Sequence, residues 1–278
     1  MEQGGFGEMG NVDIVLLIKM VIIAIVQGFT EPLPISSSGH VMIVSELLDL
    51  KEQAFSFALL TNTASLFAIM LIYRTDILRL GVFFRYIKER EAVYKKDFRF
   101  VLFLVLATIP AAILGLILKD YLSEEVGIPT IAVMLLFTGV ALWLVRNLRG
   151  YKGEENITMK DAILVGLGQA VAIIPGISRS GATIVSALAV RMNYDTALRF
   201  SFMLYIPVSL GGLVLGLSDF LAEPNKDELW FPYIITFFVT MGMTYLATKW
   251  LIKLVKKGRL VYFTYYCLTV GTLLLLFF

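Results

Sequence analysis

The chain has 278 residues, of which 58% are hydrophobic and 17% charged, and its mean hydropathy is +0.80. Soluble domains run at roughly 45–50% apolar and about 25% charged, so this composition excludes a soluble globular enzyme. The 24 Lys+Arg and 22 Asp+Glu leave a net charge of only +2, which gives no footprint for a nucleic-acid partner; an integral membrane protein remains.

In chain order, Met1 to Asn11 carries Glu2 and Glu8 but no Lys or Arg. That is the wrong sign for the start of a cleaved signal peptide, so these residues read as mature protein. Region 12–50 is apolar but interrupted midway by Gly, Pro and Ser, the pattern of a broken helix or re-entrant hairpin. Spans of transmembrane length follow at 55–73, 100–118 and 128–145, each long enough to cross a hydrocarbon core of about 30 Å. A second interrupted region occupies 161–190, and spans at 198–217, 230–251 and 260–278 complete the chain. Broken backbone survives at membrane depth only when buried in protein or lining a wet cavity, so the two interruptions imply such a cavity. Cys267, the only cysteine, has no partner for an intramolecular disulfide.

Lys and Arg concentrate in four connections: eight in 74–99, four in 146–160, two in 191–199 and five in 249–259. The positive-inside rule places these in the cytoplasm and both termini outside, and it orients the two hairpins oppositely. Ile35-Ser-Ser-Ser-Gly39 and Ile177-Ser-Arg-Ser-Gly181 match at four of five positions at a spacing of 142 residues, with Gln27 opposite Gln169 at the same spacing. The expectation is one all-α membrane domain over 1–278, with six transmembrane helices and two re-entrant hairpins in an inverted-topology repeat. Repeat one covers about 12–145 with its hairpin at 12–50; repeat two covers about 161–278 with its hairpin at 161–190. Such repeats place a binding site near the bilayer midplane.

The first interruption reads Gln27-Gly-Phe-Thr-Glu31-Pro-Leu-Pro-Ile-Ser36-Ser37-Ser38-Gly39-His40. Gln27 and Glu31 at i, i+4 share a helical face and are the candidate pair for a divalent cation, Mg²⁺ or Ca²⁺. The serines and Gly39 offer hydroxyl and backbone donors at a helix start, and His40 is the only histidine. The second interruption reads Pro175-Gly-Ile-Ser178-Arg179-Ser180-Gly181-Ala-Thr183. A guanidinium inside a membrane protein requires an anion. The bland candidate is a salt bridge from Arg179 to Glu31, which leaves the hydroxyls without a role. The sharper one is a phosphate held by Ser178, Arg179, Ser180 and Thr183, with Ser36 contributing from the first hairpin.

Together these segments resemble the undecaprenyl pyrophosphate phosphatase, or bacitracin-resistance protein, family. Gln27-x-x-x-Glu31 fits its (E/Q)xxxE pattern, the following Pro-Ile-Ser-Ser-Ser-Gly-His resembles PVSSxGH, and Pro175 to Thr183 fits PGxSRSxxT at every fixed position. The resemblance implies a plasma-membrane phosphatase that converts a polyprenyl diphosphate lipid to the monophosphate, with no organic cofactor. It places functional positions on Glu31, Ser37, His40, Ser178, Arg179 and Thr183, and Gln27 where some members have Glu. Glu31, Ser37, His40 and Arg179 are the expected catalytic set, with Ser37 or water as nucleophile. A homodimer is left open. The alternative reading is a transporter or polyprenyl-phosphate flippase using the same anion site.

Overall fold

The computed structural model describes residues 14–50, 54–80, 95–118, 126–222 and 226–278. The sequence expectations for Met1 to Asn11, and for Arg85, Lys88 and Arg90 of the basic connection, lie outside the described residues. Among those residues the regular structure is helical, apart from one isolated bridge between Lys152 and Met192.

Both interrupted regions are helix–turn–helix units. In the first, α1 (Ile14–Thr30) is followed by a turn and then by α2 (Ser37–Leu47). The turn forms because Pro32 and Pro34 have no N–H to continue the helical ladder. The chain folds back through short bonds from Leu33 N to Thr30 O and from Ile35 N to Leu33 O. Ser36 then adopts a left-handed conformation, φ 66°, and its hydroxyl caps α2 by accepting from Gly39 N at 3.3 Å.

The second unit pairs α7 (Met159–Val171) with α8 (Arg179–Ala189). Thr158 and Asp161 form a reciprocal capping box that starts α7. Gly176 turns the chain at φ +91°, and Ser178 caps α8 by accepting from Gly181 N at 3.0 Å.

The remaining helices are α3 (Ala54–Ile72), α4 (Arg74–Leu80), α5 (Lys95–Ile117), α6 (Ile128–Val145), α9 (Tyr194–Ala222), α10 (Lys226–Lys256) and α11 (Val261–Phe277). Among the described residues, four helical segments are long and apolar enough to cross a membrane: Lys95–Ile117, Ile128–Val145, Tyr194–Ala222 and Leu229–Lys256. The expected spans 55–73 and 260–278 correspond to the shorter apolar helices Ser56–Ile72 and Val261–Phe277. At 17 residues, α11 rises about 25 Å, just under a hydrocarbon core. Helix α5 begins five residues before the expected span, at Lys95, and α9 and α10 also outrun theirs. Hydropathy reports where lipid ends, whereas the helix continues through charged turns into the interface.

Helix α1 packs on α10, α7 on α5, α3 on α9 and α6 on α11. The first two pairs approach very closely. A Cβ added at Gly28 would lie 2.5 Å from the Thr240 carbonyl oxygen, and one at Gly166 would lie 2.5 Å from that of Ala107. Four threonines spaced by four, Thr236, Thr240, Thr244 and Thr248, are fully buried along α10. Thr240 donates to the Ala24 carbonyl at 3.2 Å, and Thr244 shares a 2.9 Å hydrogen bond with Ser65 of α3. Small residues and interhelical hydrogen bonds are the expected adhesive where lipid removes the hydrophobic drive for helix association.

The connection 146–158 is fastened to the second unit. Tyr151 N and Lys152 N both donate to the Arg191 carbonyl, Asn193 N donates back to Lys152 O, and Lys152 pairs with Asp161 at 2.8 Å. Arg199 of α9 joins Asp76 of α4 at 2.6 Å and also bonds Glu154.

Candidate active site between the two helix starts

The two turns meet. The hydroxyls of Ser180 and Ser178 donate to the Leu33 carbonyl at 2.7 and 3.3 Å, so the start of α8 is tied to the turn before α2. Pro34 adds contact from the same turn: its carbonyl accepts from the Cys267 thiol of α11 at 3.7 Å. Leu33, Pro34 and Ile35 are buried among the surrounding helices. Irregular backbone thus lies inside the protein, where other chain segments satisfy its polar groups.

Around Glu31 the first unit gathers polar side chains. Gln27 Nε2 donates to the Glu31 carboxylate at 2.9 Å and to Asn62 Oδ1 of α3 at 3.0 Å, and the Ser37 hydroxyl donates to the same Glu31 oxygen. Gln27 and Glu31 are buried, while Ser37 is half-buried. A hydroxyl bonded to a carboxylate is the arrangement in which a base can activate a nucleophile.

Arg179 is half-buried at the start of α8. Among the described residues no ion pair joins it to Glu31, so the bland salt-bridge reading fails. The guanidinium instead lies 5.3 Å from the Tyr205 ring centroid and donates to the Ser209 hydroxyl at 3.3 Å, both from α9. The Tyr205 hydroxyl donates to the Asn62 carbonyl at 3.3 Å and faces Glu31 and Ser209. A guanidinium held by an aromatic face and one neutral hydroxyl retains most of its donors for an anion.

His40 is turned elsewhere. Its Nδ1 lies 2.7 Å from the Ser36 carbonyl, which can only accept, so Nδ1 carries the proton. Nε2 of the neutral ring then accepts from the Tyr266 hydroxyl of α11, also at 2.7 Å, with the two rings stacked. Among the described residues no hydrogen bond links His40 to Ser37, Glu31 or Arg179.

The expected phosphate donors are engaged with backbone in this arrangement. Ser178 and Ser180 hold Leu33, Thr183 donates to the carbonyls of Arg179 and Ser180, and Ser36 caps α2. These hydroxyls shape the turns; a phosphate contact from Ser178, Ser180 or Thr183 requires rotation of an O–H that here donates to a carbonyl, whereas Ser36 only accepts from backbone. Asn62, Tyr205, Ser209 and Tyr266 are the residues sequence reasoning missed. The first three are polar groups inside expected spans, a signal that intramembrane polarity carries; Tyr266 was hidden in an aromatic stripe.

The two units are chemically unequal. Gln169, the counterpart of Gln27, is buried in α7 with neither amide atom hydrogen-bonded, and Ile173 stands where the first unit has Glu31. Among the described residues no group of three or more His, Cys, Asp or Glu converges to hold a metal ion. Gln27 turns its amide nitrogen to Glu31, so the pair offers one carboxylate and, only with the amide flipped, one amide oxygen, which is no dedicated cage for a cation.

Fold and site define a multi-pass helical membrane protein whose charged and nucleophilic residues converge from two helix–turn–helix units. Residues 20–273 match the family described as bacitracin resistance protein BacA, and the chain belongs to that family. It is 51% identical to undecaprenyl-diphosphatase 2 of Bacillus thuringiensis (strain Al Hakam) over 265 residues, 94% of this chain and 97% of that protein. It is 46% identical to undecaprenyl-diphosphatase 1 of Bacillus licheniformis over 268 residues, 95% of this chain and 99% of that protein. The undecaprenyl-diphosphatase of Oceanobacillus iheyensis is 47% identical, covering 94% of this chain and 96% of its own length.

Proposed function

We propose that this protein is a plasma-membrane phosphatase that hydrolyses undecaprenyl, or a related polyprenyl, diphosphate to the monophosphate and inorganic phosphate. It thereby recycles the lipid carrier of cell-wall polymers and confers bacitracin resistance. The carrying observation is the Ser37–Glu31 hydrogen bond beside an Arg179 that has no carboxylate partner among the described residues. The names of relatives across nearly the whole chain support the substrate.

In this reading Arg179 binds the terminal phosphoryl group and the start of α8 faces it. Ser37 Oγ attacks the terminal phosphorus as its proton passes to Glu31, and the bond to the bridging oxygen breaks, releasing the lipid monophosphate. Glu31 passes that proton to the departing lipid monophosphate and is again a carboxylate; water then attacks the phosphoserine and gives a proton to Glu31, the bond to Ser37 Oγ breaks as that oxygen takes the proton back, and inorganic phosphate leaves. Stabilising charge on the transferred group and positioning the nucleophile are the principal demands of phosphoryl transfer. His40, with Nδ1 on the Ser36 carbonyl and Nε2 on Tyr266, orders the start of α2. Mg²⁺ or Ca²⁺ would bind through Glu31 and Gln27 and supply further charge neutralisation on the diphosphate.

We further read the chain as one domain with six spans, both termini outside, and the two units as oppositely oriented re-entrant hairpins. The matching pairs α1–α10 and α7–α5, with α3–α9 and α6–α11 across the middle, support that inverted repeat.

Purified protein in detergent, given a long-chain polyprenyl diphosphate, is expected to release inorganic phosphate. A carrier needs a sealed membrane to show activity, so the absence of release from folded protein with or without Mg²⁺ or Ca²⁺ would contradict the proposal.

A further inference from the structure

We propose that Tyr205 is a positioning residue that keeps the Glu31 carboxylate and the Arg179 guanidinium apart, so that each remains available to the diphosphate. The inference rests on the site reading above and extends it to a residue on a third element, α9.

Opposite charges brought into one buried site attract strongly, because the surroundings screen them poorly. Buried Glu31 and half-buried Arg179 both face Tyr205, from the two turns that meet at Leu33, and yet they form no ion pair. Tyr205 is the residue that touches both sides. Its ring lies 5.3 Å from the Arg179 guanidinium carbon, and its hydroxyl faces Glu31 while donating to the Asn62 carbonyl at 3.3 Å. Tyr205 is only 7% exposed, packed among the neighbouring helices.

Two neighbours hold the same arrangement. Ser209, one turn along α9 from Tyr205, accepts from Arg179 at 3.3 Å, and Asn62 accepts from Gln27 at 3.0 Å through its side chain. A continuous line therefore runs from Glu31 through Gln27, Asn62 and Tyr205 to Arg179, crossing α1, α3, α9 and α8. Tyrosine suits this position because its face attracts a cation while its edge carries a hydroxyl for the carboxylate side. A guanidinium already neutralised by Glu31 would have to break that pair for each substrate, and the carboxylate would lose basicity toward Ser37.

The ring and the hydroxyl make separable contributions, which yields a split readout. Steady-state phosphate release from a polyprenyl diphosphate is measured for wild type, Tyr205→Phe, Tyr205→Leu, Arg179→Ala and Glu31→Gln, with folding of each checked by thermal melting in detergent. Tyr205→Phe keeps the face under Arg179, so KM should stay within about twofold of wild type while kcat falls roughly 3- to 10-fold, the effect of one lost hydrogen bond. Tyr205→Leu removes the separator, so KM should rise at least about tenfold and kcat should fall further. Restoration of KM by Phe relative to Leu, with the two variants melting alike, is the signature of a cation held on a ring; a packing defect would instead lower the Leu variant's melting temperature together with its activity.

If Arg179→Ala and Glu31→Gln are inactive but both Tyr205 variants keep wild-type kcat and KM, the positioning role is overturned and the site reading stands. Equal losses in KM and kcat for Phe and Leu would overturn it as well. Full activity of Arg179→Ala or Glu31→Gln would overturn the site reading and this inference with it.

Discussion

Ser37 and His40 lie three residues apart on α2, and the structure gives them different partners. Ser37 is bonded to Glu31, whereas His40 is bonded to Ser36 and Tyr266. Ser37→Ala is therefore expected to lower kcat by a factor of 10³ or more, since it removes the nucleophile. Tyr266→Phe should cost only about three- to tenfold, the loss of one neutral hydrogen bond that orients His40. Both are read by phosphate release, and a phosphoserine at position 37 trapped by acid quench would confirm the covalent route. With one carboxylate and one amide near the cation position, calorimetric titration of Mg²⁺ into the protein alone should show no binding tighter than about millimolar. Micromolar binding without lipid would require ligands beyond Glu31 and Gln27.

At the scale of elements, glycine contacts set how closely helices approach. A methyl group at Gly28 meets the Thr240 carbonyl at 2.5 Å, so Gly28→Ala forces α1 from α10 and should destabilise by about 1–3 kcal/mol, lowering the melting temperature in detergent. Gly212, with nothing within 4 Å of an added Cβ, is the control and should tolerate Ala. Arg199 is about one-fifth exposed and bridges Asp76 to Glu154, so Arg199→Ala strands two carboxylates and should cost ~3 kcal/mol. Lys96→Ala, at a more exposed pair with Glu155, should fall within about 0.5 kcal/mol of wild type in the same melt.

The two interruptions were legible because Pro32, Pro34, Pro175 and Gly176 break a helical ladder wherever they occur, and because the serines that follow cap the next helix. The Glu31–Ser37 contact was not legible. It depends on the turn carrying Glu31 back over the start of α2, a geometry set by the left-handed Ser36 and not by residue spacing. Tyr205 and Asn62 were hidden for a related reason: one polar group inside an apolar span does not reveal which neighbouring helix it faces. Helix ends were also displaced, since charged turns at Lys95 and Lys256 continue the hydrogen-bond ladder beyond the apolar stretch.

For the whole molecule, the proposed inverted repeat makes a statement about sides. In the proposed topology, with the basic connections inside, position 151 belongs to the cytoplasmic face and position 127 to the outer one. In a Cys267→Ala background, Tyr151→Cys should be labelled by an impermeant maleimide only in inside-out vesicles, and Gly127→Cys only in right-side-out vesicles. Labelling of both from one side would contradict the topology.

The central claim is that the two helix–turn–helix units form one catalytic site, with the nucleophile and base from the first and the anion clamp from the second. Its most direct test is a double-mutant cycle on phosphate release from polyprenyl diphosphate, using Ser37→Ala, Arg179→Ala and the pair. Residues that act as a unit are strongly non-additive, so each single variant should reach the background rate and the pair should be no slower. Substantial turnover in either single variant, or losses that simply multiply, would contradict a shared site.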